Sequence, residues 1–114
     1  MALDVANTRE QLAIYLGTLG SWISLHTADP TTTGGSEASG SGYARVQTTW
    51  TGAAVDGTAT GSAVTINVPP GTFAWAGVWS VGGTGGNFIA KIALNSTTLS
   101  AAGQIIVTPT LTIA

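Results

Sequence analysis

One stretch of the chain, WISLHTADPTTTGGSEASGSGYARV at residues 22–46, carries most of the side chains that could do chemistry. It contains the single histidine, His26, together with Asp29, Glu37 and Arg45. His26 precedes Asp29 by three residues, so the two could act as a general base and the carboxylate that orients it. The same two side chains could also supply the first ligands of a metal site.

Neither chemistry finds the further residues that it needs. A zinc-type site takes at least three protein ligands, and the other acids, Asp4, Glu10 and Asp56, lie at no recognised spacing. The chain lacks a G-x-S-x-G nucleophile motif, and GGTGG at 82–86 lacks the lysine of a phosphate-binding loop. We therefore predict a protein with no catalytic residue, no metal ligand and no cofactor.

An architectural role explains the same residues better. Asp-Pro followed by threonine is typical of a turn, because the aspartate accepts backbone N–H bonds and proline fixes φ. We expect His26 to end a strand and bond to nearby backbone, and Asp29 or Glu37 to pair with Arg45. The prediction is a long loop over 28–42 held by its own side chains. The residues expected to pin it are His26, Asp29, Pro30, Glu37 and Arg45.

An N-terminal helix over 4–19 is the first element that must position this loop. Its apolar face is predicted from the helical spacing of Val5, Thr8, Leu12, Tyr15 or Leu16, and Leu19. Asp4 or Asn7 is expected to cap the helix, with Asn7 and Glu10 resembling a capping box. Gly17 and Gly20 mark its end.

The rest of the chain reads as short strands separated by turns. Apolar patterning predicts strands over 22–27, 43–50, 62–68, 73–81 and 87–94. The tail, with Ile105 and Val107 and then Leu111 and Ile113 beyond Pro109, is predicted to form two short strands or one bent strand. Pro69 and Pro70 cannot donate to a ladder and must separate two of them. The predicted fold is mainly β: an antiparallel sandwich or small barrel of six to seven strands with one N-terminal helix, in a single domain of residues 1–114.

The strand over 73–81 has two apolar faces, and this predicts a protein interface. A sandwich of this size has one core, so the face of Ala74, Ala76 and Val78 is expected to lie under the helix or under a partner. We expect a homo-oligomer, with a trimer favoured by analogy, that buries part of this strand or of the 22–46 loop. The candidate interface residues are Tyr43, Trp75, Val78, Trp79 and Ile89.

Three tryptophans raise a second kind of partner. Exposed aromatic rings stack on sugars, so Trp50, Trp75 and Trp79 could form a carbohydrate-binding site. Aromatic residues also dominate protein cores and interfaces, and we favour that role for them.

The low charge points to an assembly. Only 7% of the residues are charged and the net charge is −2, against roughly 25% charged in an average soluble domain. Nucleic-acid binding is not expected because no basic stripe exists. The chain has no membrane-length apolar run and no signal-peptide pattern, so we expect synthesis in a cytoplasm. A surface of Thr, Ser, Ala and Gly suits a subunit that packs on copies of itself or on a larger structure.

The same 22–46 stretch resembles a recurring signature in small virion proteins of tailed bacteriophages, especially phages that infect actinobacteria. A GVWS strand follows downstream in that group, as it does here. The matching residues are 24–30, 32–34, 37, 39–40, 43–45 and 77–80.

The resemblance implies a noncatalytic structural protein of the virion, made in the host cytoplasm. It implies other virion proteins, such as the major capsid or tail proteins, as partners. Members of the group are labelled tail-fibre-like, minor tail or virion structural proteins, and some related small proteins decorate capsids. The short, non-repetitive chain favours a capsid decoration subunit, with a minor tail or tail-fibre-like appendage as the alternative and a host-glycan-binding module as another.

Overall fold

The computed structural model describes residues 5–51, 57–83 and 85–113. Within these residues the chain forms one helix followed by nine strands. The helix is α1 (Ala6–Leu19). The strands are β1 (Trp22–His26), β2 (Val46–Gln47), β3 (Trp50–Thr51), β4 (Thr58–Gly61), β5 (Val64–Val68), β6 (Gly71–Trp79), β7 (Phe88–Leu99), β8 (Gly103–Val107) and β9 (Thr110–Thr112).

The described strands form three antiparallel sheets. The largest has the order β2-β1-β6-β7, a second has the order β3-β4-β9, and β5 pairs with β8. The predicted mainly-β, antiparallel fold with one N-terminal helix is confirmed, although nine strands are present rather than six or seven. Pro69 and Pro70 separate β5 from β6, as predicted.

The extra strands arise where the chain changes sheets. The segment predicted as one strand over 43–50 is divided between β2, which pairs with β1, and β3, which pairs with β4. Thr48 is buried at the crossover, and its hydroxyl donates to the Ser62 carbonyl at 2.7 Å. The strand β4, TATG, was not predicted because it has no large apolar residue to mark its alternation.

The core lies between the large sheet and the β5–β8 pair. Ile23 and Leu25 of β1, which alternate with Ser24, are fully buried. Ile66 at the centre of β5 faces the same cluster. The other buried members are Ala38, Val64, Val68, Phe73, Ala76, Val78, Ile105, Val107 and Leu111.

Both faces of β6 are buried at its Ala76–Trp79 end. Ala76 and Val78 belong to the core, so that face is closed to a partner. Trp79 on the opposite face is buried as well. Val78 and Trp79 therefore have almost no exposed surface for the interface role expected of them. Tyr43, Trp75 and Ile89 are half-buried, and their interface role stays a prediction.

The helix docks on β3, β4 and β9 through small residues. Ala13 is fully buried, and a Cβ added to Gly17 would lie 3.0 Å from the Trp50 ring. Most of the face predicted to point inward is exposed, including Leu12 and Tyr15, whereas Leu16, the predicted alternative to Tyr15, packs against the core. Close approach by small side chains has decided which face packs.

The predicted helix caps are not those observed. The helix begins after Val5, which makes no side-chain capping bond, and Asn7 lies inside the first turn. The alternative cap, Asp4, lies outside the described residues. Gly20 follows the helix in extended backbone. No helix in the described part of the chain has the length and apolar character needed to cross a membrane.

Candidate functional site

The segment between β1 and β2, residues 27–45, folds back onto the outer face of the large sheet. We call it the clasp loop. Its residues 36–38 run along β1, where Thr27 N–H donates to the Ser36 carbonyl and Ala38 N–H donates to the Leu25 carbonyl. Further along the clasp loop, Gly34 lies so close to Trp79 that an added Cβ would be 2.4 Å from the ring. The loop therefore covers the sheet face opposite the core.

A buried chain of hydrogen bonds joins this face to the clasp loop. Trp79 Nε1 donates to Ser24 Oγ at 2.9 Å, and Ser24 Oγ lies 2.6 Å from His26 Nε2. His26 Nδ1 lies 2.7 Å from the Gly35 carbonyl. Because a carbonyl only accepts, Nδ1 carries the proton and Nε2 accepts from the serine hydroxyl. His26 thus bonds to nearby backbone, as expected from its place at the end of β1.

Ser24 and His26 have the spacing of a nucleophile and its base, but they lack room for a reaction. Both side chains are 0% exposed. An added Cβ on Gly77 would lie 2.5 Å from Ser24 Oγ and 2.8 Å from His26 Nε2, so the sheet closes over them. The serine oxygen also accepts the Trp79 bond. The pair is built to hold the clasp loop, and the i, i+2 spacing of Ser24 and His26 on one strand is the signal that could have identified it.

The electrostatics of His26 favour the neutral ring. Burial lowers the pKa of His26 below its ordinary value of 6.5, and this effect outweighs the opposing influence of the Gly35 carbonyl and the nearby Glu37 charge. The Arg45 charge adds to the lowering. A neutral ring is what the bonds to Ser24 and Gly35 require.

Glu37 and Arg45 form the second connection. Arg45 Nη2 donates to Glu37 Oε1 and Arg45 Nε donates to Glu37 Oε2, both at 2.8 Å. The Tyr43 hydroxyl also donates to Glu37 Oε2, at 2.7 Å, and accepts from Leu25 N–H at 3.2 Å. The Arg45 side chain is 7% exposed, so this bidentate pair is largely shielded from water.

Arg45 reaches beyond the clasp loop to the turn that follows β6. Its guanidinium lies 3.7 Å from the centre of the Trp79 ring. Its Nη1 group donates to the carbonyls of Val81, Gly83 and Gly85 at 3.1, 2.8 and 3.2 Å. One side chain thus ties the clasp loop to the sheet and to the 80–86 turn.

The bonds within this cluster shift the other two titrating groups in opposite directions. Burial alone would raise the pKa of Glu37, but bonds from Arg45 and Tyr43 hold that pKa below its ordinary value of 4.5. Burial and the neighbouring Glu37 raise the pKa of the Tyr43 hydroxyl. Glu37 is therefore charged and Tyr43 neutral at neutral pH.

Asp29 and Pro30 form the turn at the start of the clasp loop. Asp29 Oδ1 accepts from Thr31 N–H and from Lys91 Nζ, both at 2.8 Å, so its charge partner is Lys91 rather than Arg45. The Lys91 bond lowers the pKa of Asp29. The buried Pro30 carries the carbonyl that accepts from Gly34 and Gly35 N–H. All five residues expected to pin the loop contact it or lie within it.

The far end of the clasp loop, residues 39–42, forms an exposed tip. Gly40, Ser41 and Gly42 all have positive φ, at 90°, 54° and 77°. Tyr43 N–H donates to the Gly40 carbonyl and closes the turn. An added Cβ on Gly40 or Gly42 would meet nothing within 4 Å. The tip therefore contributes no packing to the sheet.

A surface cleft of about 300 Å³ opens where the clasp loop meets the 80–86 turn. Its polar side chains, Glu37, Tyr43 and Arg45, are already bonded to one another. Its lining residues are Glu37, Ala38, Tyr43, Ala44, Arg45, Gly82 and Gly83. Among the described residues no group of three His, Cys, Asp or Glu side chains is placed to hold a metal ion; Asp56, one acid considered above, lies outside them.

We expect the neutral His26 ring to make stability depend on pH. Because the folded pKa lies below the unfolded value of 6.5, the unfolded chain binds the proton more tightly, and stability is full above that pH and falls as the pH drops below it. The free energy of unfolding of the wild-type chain should decrease between pH 7.5 and 5, measured by chemical denaturation. Asp29 and Glu37, with lowered pKa values, change their contributions only at lower pH.

The control is the His26→Gln variant, which cannot titrate in this range. Its stability at pH 7.5 should be lower, but the slope between pH 7.5 and 5 should disappear. An equal slope in both proteins would show that another group carries the pH dependence.

The two ion pairs should differ sharply in their importance. Arg45→Lys keeps the charge but loses the two parallel bonds to Glu37, the stacking on Trp79 and most of the bonds to carbonyls. We therefore expect the free energy of unfolding to fall by roughly 2–3 kcal/mol. Lys91→Gln removes the exposed pair with Asp29 and should leave stability unchanged within error. Denaturant titration of both variants at neutral pH tests this, and similar losses in the two would contradict it.

Comparison with known families places the chain in one of them. The sequence model of one family, described as Podophage GP4 fiber I protein gp80, matches residues 17–114. The match begins in the last turn of α1 and spans the clasp loop and all the described strands. No curated protein and no solved structure matches the chain. A match over this much of its length means that the chain belongs to the Podophage GP4 fiber I protein gp80 family, a family of phage fibre proteins.

Proposed function

We propose that this protein is a noncatalytic structural subunit of a phage virion, placed in a fibre or a related tail appendage. The observation that carries the proposal is the family match, which includes the clasp loop and the strands that support it. The family description names a fibre protein, and this favours the appendage over the capsid decoration role considered from the sequence. The actinobacterial host implied by the sequence resemblance remains part of the proposal.

The geometry of the clasp loop supports a structural role. Three side chains have the chemistry for catalysis or ligand binding, but all of them bond within the protein: His26, Glu37 and Arg45. The Ser24–His26 pair has no access to solvent. A loop held in this way presents a fixed surface, which suits assembly with other virion proteins better than turnover of a substrate.

The experiment that tests the proposal is the detection of the protein on purified particles of the phage that encodes it. Mass spectrometry should find it in virions at a constant ratio to the major capsid protein, and labelled antibody should place it on the tail. An appendage predicts a few to some tens of copies per particle, because fibres are attached at a small number of positions.

A non-structural protein of the same phage serves as the contamination control. Hundreds of copies spread over the head would contradict the appendage and support capsid decoration instead. Absence from virions that are otherwise complete would contradict both.

A second candidate function, the binding of a host surface glycan, is favoured by the position of Trp75. Trp79 is buried, and Trp50 is half-buried with its Nε1 donating to the Gly20 carbonyl. Trp75 is half-buried on the outer face of the large sheet, with Lys91 Nζ 5.2 Å from the centre of its ring. A partly open ring beside a cation suits the stacking of a sugar.

We expect Trp75→Ala to reduce retention of the protein on host cell-wall glycan at least tenfold if Trp75 forms that site. Ile106→Ala is the matched control, because Ile106 is a large side chain with 70% exposure on β8, away from the large sheet. Retention would be measured in a pull-down with purified glycan. No retention of the wild-type protein, or equal retention of both variants, would remove this candidate.

A further inference from the structure

One face of α1 presents an apolar stripe to solvent. Its residues follow one another at intervals of three, four, three and four, which is the spacing of the a and d positions of a coiled coil. We call this stripe the helix seam. The seam consists of Val5, the extended residue just before the helix, and of four residues of α1, Thr8, Leu12, Tyr15 and Leu19, all of them exposed.

The seam is exposed because the helix packs through a different face. Ala13 and Gly17 lie against the sheet formed by β3, β4 and β9. Since successive helical residues are 100° apart, the face of Ala13 and Gly17 is centred about 140° from the centre of the seam. Docking of the helix therefore leaves most of the larger apolar side chains outside the fold, while Leu16 packs against the core.

The seam is large for an exposed patch. Val5 and Tyr15 are each 63% exposed, and Leu12 and Leu19 are about 40% exposed. With about 150–200 Å² for a fully exposed side chain of this size, the seam presents roughly 400 Å² of mainly apolar surface. This equals the size of the largest apolar patch on a typical monomer, and such patches are often functional.

The character of the seam selects its partner. None of its five residues is charged, so it offers nothing to recognise an acidic or basic surface. A seam with a and d spacing packs its side chains into the holes between the same side chains of an identical helix. The area is about half of the roughly 800 Å² per partner in a stable two-body interface, which predicts weak, concentration-dependent association of the isolated chain.

We propose that copies of this chain associate through the helix seam, helix against helix. This differs from the oligomer expected from the sequence, which used the 73–81 strand or the 22–46 loop; in the strand, Val78 is buried in the core. The seam residues before position 17 precede the range matched by the family. The proposal is independent of the virion role and is tested on the purified chain alone.

The first test measures self-association by sedimentation equilibrium between 5 and 500 µM protein. The wild-type chain should form oligomers within this range, and the Leu12→Gln/Leu19→Gln variant should weaken association at least tenfold. Ile14→Gln is the matched control, because Ile14 has the same 40% exposure as Leu12 but lies on the opposite side of the helix. It should change association less than twofold, and far-UV circular dichroism should show all three proteins folded.

The second test detects the contact between two helices directly and does not depend on weakening the association. The chain contains no cysteine, so Leu12→Cys introduces one thiol at the middle of the seam, close to its copy in either helix orientation. Under mild oxidation this variant should form disulfide-linked dimers at least tenfold faster than Ile14→Cys. A wild-type chain that stays monomeric to 500 µM, or equal cross-linking of the two cysteine variants, overturns the proposal.

Discussion

The Arg45 guanidinium is the contact on which the outer half of the structure depends. It binds Glu37 through two parallel bonds, stacks on Trp79 and donates to three carbonyls of the 80–86 turn. Without Arg45 the Glu37 carboxylate would keep only the bond from the Tyr43 hydroxyl, and the three carbonyls would lose their bonds to the guanidinium. A largely buried ion pair is stable only when its remaining hydrogen-bonding capacity is satisfied, and here the protein satisfies it with backbone from a distant turn.

This arrangement allows a face of the large sheet to be covered without a second sheet or a helix. His26 and Ser24 would be costly to bury if they were unpaired, but the Trp79 indole and the Gly35 carbonyl complete their bonds. Gly77 provides the space that they need. The clasp loop can therefore act as a third layer, and it does so with polar side chains in place of a hydrophobic core.

The sequence predicts the strands and the loop more accurately than it predicts which faces of these elements pack against each other. Alternation predicted β1 and β5 because each has one face in the core, and a run with two apolar faces predicted β6. Alternation failed for β4, whose residues are small. The packing face of α1 was also missed, because it consists of small residues and size alone favoured Leu12 and Tyr15. Docking depends instead on close approach at Ala13 and Gly17. The pairing of Glu37 with Arg45 was among the expected alternatives, whereas the bonds from Arg45 to the 80–86 turn join residues nearly forty positions apart, and no local pattern indicates them.

The exposed tip at 39–42 can vary in sequence and length without lowering the stability of the rest of the fold. The clasp loop is held on both sides of the tip, by His26 and Glu37 before it and by Tyr43 and Arg45 after it. Chain added or exchanged between Ser39 and Gly42 would leave these anchors and the sheet beneath them in place, since the tip packs against nothing. The loop therefore gives the protein one permissive position at which length and composition can diversify, or a foreign peptide can be displayed, while the scaffold stays constant.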